Sequence, residues 1–318
     1  MLTQRDLRTI LTPEDCLASV EEAFRAYGEG RLAAPKSLGL HAAAGTFHVK
    51  AAIADVCAVK INANFPGNPR QHQLPTIQGV IVLFDLEKGT PLAILDSALI
   101  TTLRTAAATA VAAKYLARHD AAIITVIGCG TQGRASLEAL RLVRPIRTAY
   151  AYDLDAATSA RFAREMAQDG LDVHAVATFD DAVAASDIVV TCTTARAAIL
   201  DARHLHPGLF IAAVGADNPE KQELTPALLR KSIVVADILE QSATMGDLHH
   251  ALEAGLLTRD DVRGELADVI CSRVPGRERD DQVFVFDSTG TALQDAAVAS
   301  LAWSRAVERG VGREVAFA

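Results

Sequence analysis

The chain has few cysteines, and none sits in a pattern that chemistry would use. Cys16, Cys57, Cys129, Cys192 and Cys271 are scattered, odd in number and free of any CxxC pair. That argues against disulfides and a thiolate zinc site and for buried thiols in a reducing compartment. Long apolar runs are also missing, because Arg, Lys, Asp or Glu interrupts each one, so no membrane span is expected. The N-terminus lacks a basic segment followed by an apolar one, and the expected location is cytoplasmic. Positive charge is not in excess: 31 Lys and Arg against 39 Asp and Glu leave a formal net charge of −8, so no nucleic-acid partner is expected. There is no GxSxG elbow, no HExxH and no P-loop lysine to support hydrolysis or nucleoside triphosphate chemistry. His204-x-His206 and His249-His250 come without carboxylates or cysteines at ligand spacing, and no metal is expected. Internal repeats and low-complexity tracts are absent.

What is present suits a soluble globular protein. The 318 residues, half of them hydrophobic and 22% charged, are enough for two domains, each with a sizeable core. The most informative stretch runs from Ile123 to Asp153. An apolar run (Ile123 to Ile127) meets Gly128-Cys129-Gly130-Thr131-Gln132-Gly133, passes into an amphipathic helix and returns as a second apolar run ending in Asp153. The first glycine permits a sharp turn, the second lets backbone approach a pyrophosphate, and the third lets helix pack on strand. The helix start, with Thr131 and Gln132, offers unpaired N–H groups to phosphates. Asp153, twenty residues after Gly133, is placed to accept hydrogen bonds from an adenosine ribose, which favours NAD over NADP.

Along the chain, Pro13 to Tyr27 reads as a helix capped by Thr12, with Pro13 at its first position. Strands are expected at Thr46 to Ile53, Cys57 to Asn62, Thr76 to Leu86 and Pro91 to Asp96, with residues 62–75 a long loop. Ala98 to Arg118 reads as one alanine-crowded helix with Arg104 in its middle. From Ala121 onward strands (Ile123 to Ile127, Thr148 to Tyr152, Val173 to Val176, Ile188 to Cys192, Phe210 to Val214, Ile233 to Ala236) alternate with segments of helical character such as Ala156 to Gln168. That alternation predicts an α/β fold with a doubly wound parallel sheet, whose ligands sit beyond the carboxyl ends of the strands. A less periodic stretch (Leu239 to Asp281) precedes a last strand, Gln282 to Phe286, and a closing helix, Thr291 to Arg309. The expected division is residues 119–287 as the dinucleotide-binding domain, with 1–118 and 288–318 as a discontinuous α+β domain.

Several cations stand in apolar settings: Lys36, Lys50, Lys60 and Arg104. A lone lysine is ordinarily solvated, but Lys60 lies between Val59 and Ile61 in a core-like strand. Arg104 needs a partner or a water-filled cleft, since burying it unpaired is costly. A cluster of such groups would bind a carboxylate. His48 and Lys50, two apart on a strand, share a face that is either a cleft wall or an exposed edge. Asp217 follows the strand Phe210 to Val214, and is either a turn residue before Pro219 or a group that orients an amine or imine nitrogen and moves its proton.

FPGNP (65–69), LPTIQG (74–79), TTLRTAAA (101–108), AKYLAR (113–118), IGCGTQ (127–132), GADNPEKQEL (215–224) and FDSTGTALQD (286–295) together resemble the ornithine cyclodeaminase/μ-crystallin family, over nearly the whole chain. The resemblance implies a Rossmann domain plus a discontinuous substrate-binding domain that pairs into a homodimer. It implies that Lys36, Lys60 and Arg104 bind the substrate carboxylate and that Asp217 is the catalytic aspartate beside the substrate nitrogen. Ser288, Thr289 and Gly290, with Thr76, would lie near the nicotinamide. His48 and Lys50 depart from the family: the cyclodeaminase branch is expected to carry a glutamate at His48 to receive the distal ammonium of ornithine. The expectation is therefore an NAD(P)H-dependent imino-acid reductase or amino-acid dehydrogenase, using Lys60 and Asp217 in catalysis, with NAD as cofactor and NADP possible. A cyclodeaminase and a non-catalytic crystallin-like binding protein are the alternatives.

Overall fold

The computed structural model describes residues 1–167 and 170–316, and of Pro69 the backbone alone. The chain divides into two compact units, Met1–Arg104 with Thr291–Ala318, and Thr105–Gly290. The sequence-based division lay at 118/119 and 287/288, whereas the units meet inside the continuous helix Ser97–Leu116 and just before the closing helix Ala292–Arg309. The expected helix from Ala156 runs to Met166, and its last expected residue, Gln168, lies outside the described residues, as do residues 317 and 318 of the first unit's C-terminal part.

The first unit is built on five antiparallel strands, β1 (Lys36–Ala42), β2 (Gly45–Ile53), β3 (Cys57–Asn64), β4 (Ile77–Phe84) and β5 (Pro91–Asp96), ordered as numbered. β1 and the helix Gln4–Ile10 were not expected from sequence. β1 is an edge strand with all of its residues exposed and Gly39 inside it, so little in its composition marks a strand. The expected loop contains a short helix, Asn68–Gln71. Thr12 caps the helix Pro13–Gly28 as expected, its hydroxyl oxygen accepting from the Asp15 N–H.

Register gives this sheet two unlike faces. Lys50, Lys60, Ile81 and Leu95 stand side by side across β2 to β5 and are all buried; the closing helix packs on β2 and β3. On the alternate positions Leu38, Val49, Ile61 and Val80 are aligned. Of these, Leu38, Ile61 and Val80 are 53%, 41% and 40% exposed, an apolar face left open to solvent.

The second unit is a parallel sheet of eight strands: β6 (Ile123–Ile127), β7 (Thr148–Tyr152), β8 (Asp172–Ala175), β9 (Ile188–Thr191), β10 (Phe210–Ala213), β11 (Ile233–Ala236), β12 (Gly264–Glu265) and β13 (Phe284–Asp287). Their order is β12-β11-β13-β10-β9-β6-β7-β8. The chain starts in the interior at β6, winds outward through β7 and β8, then crosses back to β9. This is the doubly wound plan, and its switch point lies between β6 and β9. The closing strand β13 inserts between β10 and β11. Strands buried along their whole length, such as Ile188–Thr191 and Phe210–Ala213, suit a sheet covered on both faces.

Within this unit Arg144 is buried and closes the C-terminal end of the helix Ser97–Leu116. Its Nη2 donates to the carbonyls of Ala113, Lys114 and Ala117 at 2.6, 2.9 and 3.1 Å. A cation there satisfies orphan carbonyls and opposes the negative end of the helix dipole. Replacing Arg144 with Met keeps most of the volume but strands those acceptors. The expected loss is about 2–3 kcal/mol, read as a lowered urea midpoint; an unchanged midpoint would remove Arg144 from this role.

Candidate active site

In the second unit the chain leaves β6 through Gly128, whose φ of +100° only glycine adopts readily, and a Cβ there would lie 2.7 Å from the Cys192 carbonyl oxygen. Gly130 is the N-cap of the helix Thr131–Arg141 and no side chain caps that end. A Cβ on Gly130 would meet nothing within 4 Å, whereas one on Gly133 would fall 2.3 Å from the Gly128 carbonyl oxygen. The three glycines thus serve a turn, an open approach and a helix–strand contact. The uncapped N–H groups of the first turn are available to an anion, and next to them the Gln132 Oε1 is buried without a partner.

Asp153 ends the β7 turn and faces this loop. Its Oδ2 accepts from the Cys129 N–H at 2.9 Å and its Oδ1 from the Asp155 N–H at 3.0 Å. A carboxylate accepts about four hydrogen bonds, so Asp153 pins the loop and keeps capacity for a ribose. Arg134 braces the loop by donating to the carbonyl oxygens of Cys129 and Gly130 while paired with Glu165.

Beyond the carboxyl ends of β9 and β10 the loops are tied by a buried carboxylate that sequence reading missed. Glu223 accepts from the Thr191 hydroxyl (2.7 Å), the Thr193 N–H and hydroxyl (2.6 and 2.8 Å) and the Gly215 N–H (2.8 Å). Asp247 in turn accepts from the N–H groups of Glu223 and Leu224, and Asp287 from those of Asp247 and Leu248. Burial raises all three carboxyls, Asp247 to about 7 with Glu223 beside it. Asp237 holds the segment after β13: Thr289 donates its hydroxyl at 2.9 Å and Gly290 its N–H at 2.6 Å, while the Ser288 Oγ is buried with no partner. The expected nicotinamide segment is therefore rigidly held, with one hydroxyl uncommitted.

Asp217 lies in the loop after β10, its side chain 46% exposed, and Oδ1 takes the Lys221 ammonium at 2.7 Å. Lys221 stands in the quoted GADNPEKQEL motif but was not singled out from sequence. His249, His250 and Glu253 bring their ligand atoms within 4.8 Å of one another. The convergent carboxylate looked for in sequence is thus present, but the His250 Nε2 is already engaged with the Lys221 carbonyl at 2.8 Å.

In the first unit Lys60 and Arg104 meet. Lys60 Nζ lies 2.6 Å from Asp295 Oδ2, and Arg104 Nε donates to Asp295 Oδ1 at 3.0 Å; all three side chains are buried. Arg104 Nη1 donates to Gln294 Oε1 at 2.8 Å. Burial pulls the Lys60 ammonium down to about 7, against the opposing charge of Asp295. Burial raises the Asp295 carboxyl, but the Lys60 and Arg104 charges outweigh that and leave it below the usual range. The partner that Arg104 required is thus Asp295, from the closing helix. Lys50 is 8% exposed and aligned with Lys60, and His48 is aligned with Asn62 on the same face, so this face is the inner one and not an exposed edge. Lys36 does not join the cluster: it is exposed and aligned with Ala51, on the alternate set of positions from Lys50. Thr76 precedes β4, its carbonyl accepting from the Phe65 N–H.

The chain is similar to known proteins along its whole length. The sequence model of the ornithine cyclodeaminase/mu-crystallin family matches residues 1–310. The chain belongs to this family. Three solved members share its fold throughout. An archaeal alanine dehydrogenase dimer with bound NAD superposes with a TM-score of 0.96 at 35% identity, covering 100% of this chain and 98% of that one. The Thermococcus litoralis Delta(1)-pyrroline-2-carboxylate reductase, in complex with NADH and L-proline, gives 0.94 at 31% identity and 99% coverage of both. The iminosuccinate reductase of Paracoccus denitrificans with NAD+ gives 0.90 at 31% identity, covering 99% of this chain and 98% of that one.

The glycines provide a contrast that separates binding from folding. Gly130→Ala, with open space and extended backbone angles (φ −78°, ψ −160°), should keep the melting temperature while weakening NADH binding about tenfold or more, because a methyl group blocks the phosphate approach. Gly133→Ala should instead destabilise the unit. Equal NADH affinity in Gly130→Ala and wild type, by fluorescence titration, would contradict the cradle.

Proposed function

We propose that the protein is an NAD-dependent oxidoreductase acting on a carbon–nitrogen bond next to a carboxylate, as an imino-acid reductase or amino-acid dehydrogenase. The observation that carries this reading is the buried pair Lys60 and Arg104, a carboxylate receptor, on a chain that also holds an open glycine cradle. The residues fit NAD: Gly128, Gly130, Thr131, Gln132 and Gly133 would receive its pyrophosphate and Asp153 its ribose. Ser288, Thr289 and Gly290, with Thr76, would serve the nicotinamide end. NAD(H) would supply or accept the hydride. Lys60 and Arg104 would hold the substrate carboxylate, so that positioning supplies much of the rate, and Asp217 would exchange the proton on the substrate nitrogen. His48 and Lys50 favour reduction over ornithine cyclodeamination, because a basic face does not attract a distal ammonium. Named relatives that are alanine dehydrogenase, pyrroline-2-carboxylate reductase and iminosuccinate reductase support the same chemistry.

The test is NADH oxidation over 2-oxo acids with ammonia or methylamine and over cyclic imines, beside an ammonia assay with ornithine. At least one imino acid should oxidise NADH, and NADH should be preferred to NADPH because Asp153 would repel a 2′-phosphate. Arg104→Ala should raise KM about tenfold or more with NADH affinity kept, and Asp217→Asn should lower kcat about a hundredfold. Ornithine-dependent ammonia release without net NADH change would sink the reading in favour of a lyase.

The five free cysteines support a cytoplasmic location, and no helix among the described residues is long and apolar enough to cross a membrane. The partner we propose for the open apolar sheet face is a second copy of the chain, as the solved alanine dehydrogenase is a dimer. Ile61→Glu on that face should halve the mass measured by light scattering at micromolar concentration. A variant that keeps the wild-type mass would place the interface elsewhere.

A further inference from the structure

The closing helix carries two adjacent polar residues, Gln294 and Asp295, both buried in an otherwise apolar stretch. Both turn to the same guanidinium. Asp295 Oδ1 takes Arg104 Nε at 3.0 Å and Gln294 Oε1 takes Nη1 at 2.8 Å. Because a guanidinium only donates, the Gln294 amide must present its oxygen to Arg104 and turn its nitrogen away. That nitrogen, Nε2, is then buried with no hydrogen-bond partner, a cost the site carries in exchange for fixing Arg104. Arg104 Nη2 has no partner among the described residues, and the side chain retains 7% exposure.

We propose that Gln294 and Asp295 are positioning residues for the substrate carboxylate, holding the Arg104 guanidinium by Nε and Nη1 and the Lys60 ammonium beside it, so that Nη2 and Nζ receive the substrate. This rests on the reading of Lys60 and Arg104 as the carboxylate receptor. The charge arrangement supports it. Lys60 is faced by Lys50 from β2, Arg104 from the helix Ser97–Leu116 and Asp295 from the closing helix. Its other close polar group is the Thr101 hydroxyl at 3.5 Å. Burial and the charges of Arg104 and Lys50 favour loss of the Lys60 proton, and the Asp295 carboxylate opposes them. Without that carboxylate Lys60 would be neutral at physiological pH and would no longer attract an anion.

The experiment compares Asp295→Asn, which removes the charge and keeps an acceptor, with Gln294→Leu, which removes only the contact to Arg104. Lys60 is titrated by its 13Cε resonance in lysine-labelled protein, a readout independent of turnover. Steady-state kinetics with the best imino acid are measured from pH 6 to pH 8.5. The wild-type Lys60 midpoint is expected near 7. In Asp295→Asn it should fall by about one pH unit or more, and the alkaline limb of kcat/KM should move with it, the loss being in KM. Gln294→Leu should raise KM about three- to tenfold with the Lys60 midpoint unmoved. NADH affinity should stay within about twofold in both, since neither residue belongs to the glycine cradle. An unmoved Lys60 midpoint in Asp295→Asn, or unchanged KM in both variants, overturns the proposal. If Asp295→Asn does not fold, the KM of Gln294→Leu decides. Should no imino acid oxidise NADH with wild-type protein, the functional reading fails while the Lys60 midpoint still reports on Asp295.

Discussion

The ion triad of Lys60, Arg104 and Asp295 sets terms that the first unit must meet. Each of these groups is buried, and taking an ion out of water costs several kcal/mol unless it is paired at close range. Two cations around one carboxylate leave the trio with net positive charge, which favours an anion at the same place. The triad also explains why the unit is discontinuous in sequence. Two strand and helix positions near the N-terminus supply the cations, and a helix 190 residues further on supplies the carboxylate and the amide. Alanine at positions 106–108 and 110 lets neighbours approach the helix Ser97–Leu116 closely, and all four are buried.

The second unit solves a related problem with the opposite sign. Glu223, Asp247, Asp287 and Asp237 are all fully buried, and each accepts from backbone N–H groups or hydroxyls at the carboxyl ends of the sheet, Asp247 through Oδ1 alone. These bonds satisfy buried backbone donors of the loops, which holds the loops in one conformation. Burial raises three of these carboxyls. Because Asp247 sits near 7, its folded value is above its unfolded one, so the stability tied to it is present at low pH and declines as pH rises through neutrality. A proton retained there also relieves repulsion between neighbouring carboxylates. Rigid loops suit a reaction whose rate depends on placing two carbon atoms in a narrow range of distance.

What was legible in sequence follows from where the information lies. The glycine cradle, Asp153 and the alternation of strands and helices are local patterns, each readable within thirty or so residues, and the parallel sheet appears where they put it. The need of Arg104 for a partner was also local, since a cation in an alanine-rich helix states its own problem. The solution was not, because pairing across 191 residues leaves no periodic trace. The available signal is the polar pair Gln294-Asp295 in the otherwise apolar first two turns of the closing helix. Glu223 and Asp247 were invisible for the same reason: in sequence they look like solvated loop acids. Lys36 is the converse case. A cation in an apolar context predicts a place in the cluster, but β1 is an exposed edge strand whose register sets Lys36 beside Ala51, a face that composition alone does not assign.

The alignment of His48 with Asn62 and of Lys50 with Lys60 bears on specificity within the family. A side-chain ammonium brought to this inner face would meet Lys50, Lys60 and Arg104, with Asp295 already shared by two of them. A glutamate at position 48 would reverse that local sign and give the ammonium a partner. With histidine there, no carboxylate at this position offsets the cations of the face, so the face does not attract an ammonium. A neutral or anionic side chain carries no such penalty. On the proposed reading, discrimination would fall on the charge of the substrate's far end, while Lys60 and Arg104 would serve the shared carboxylate end in either case.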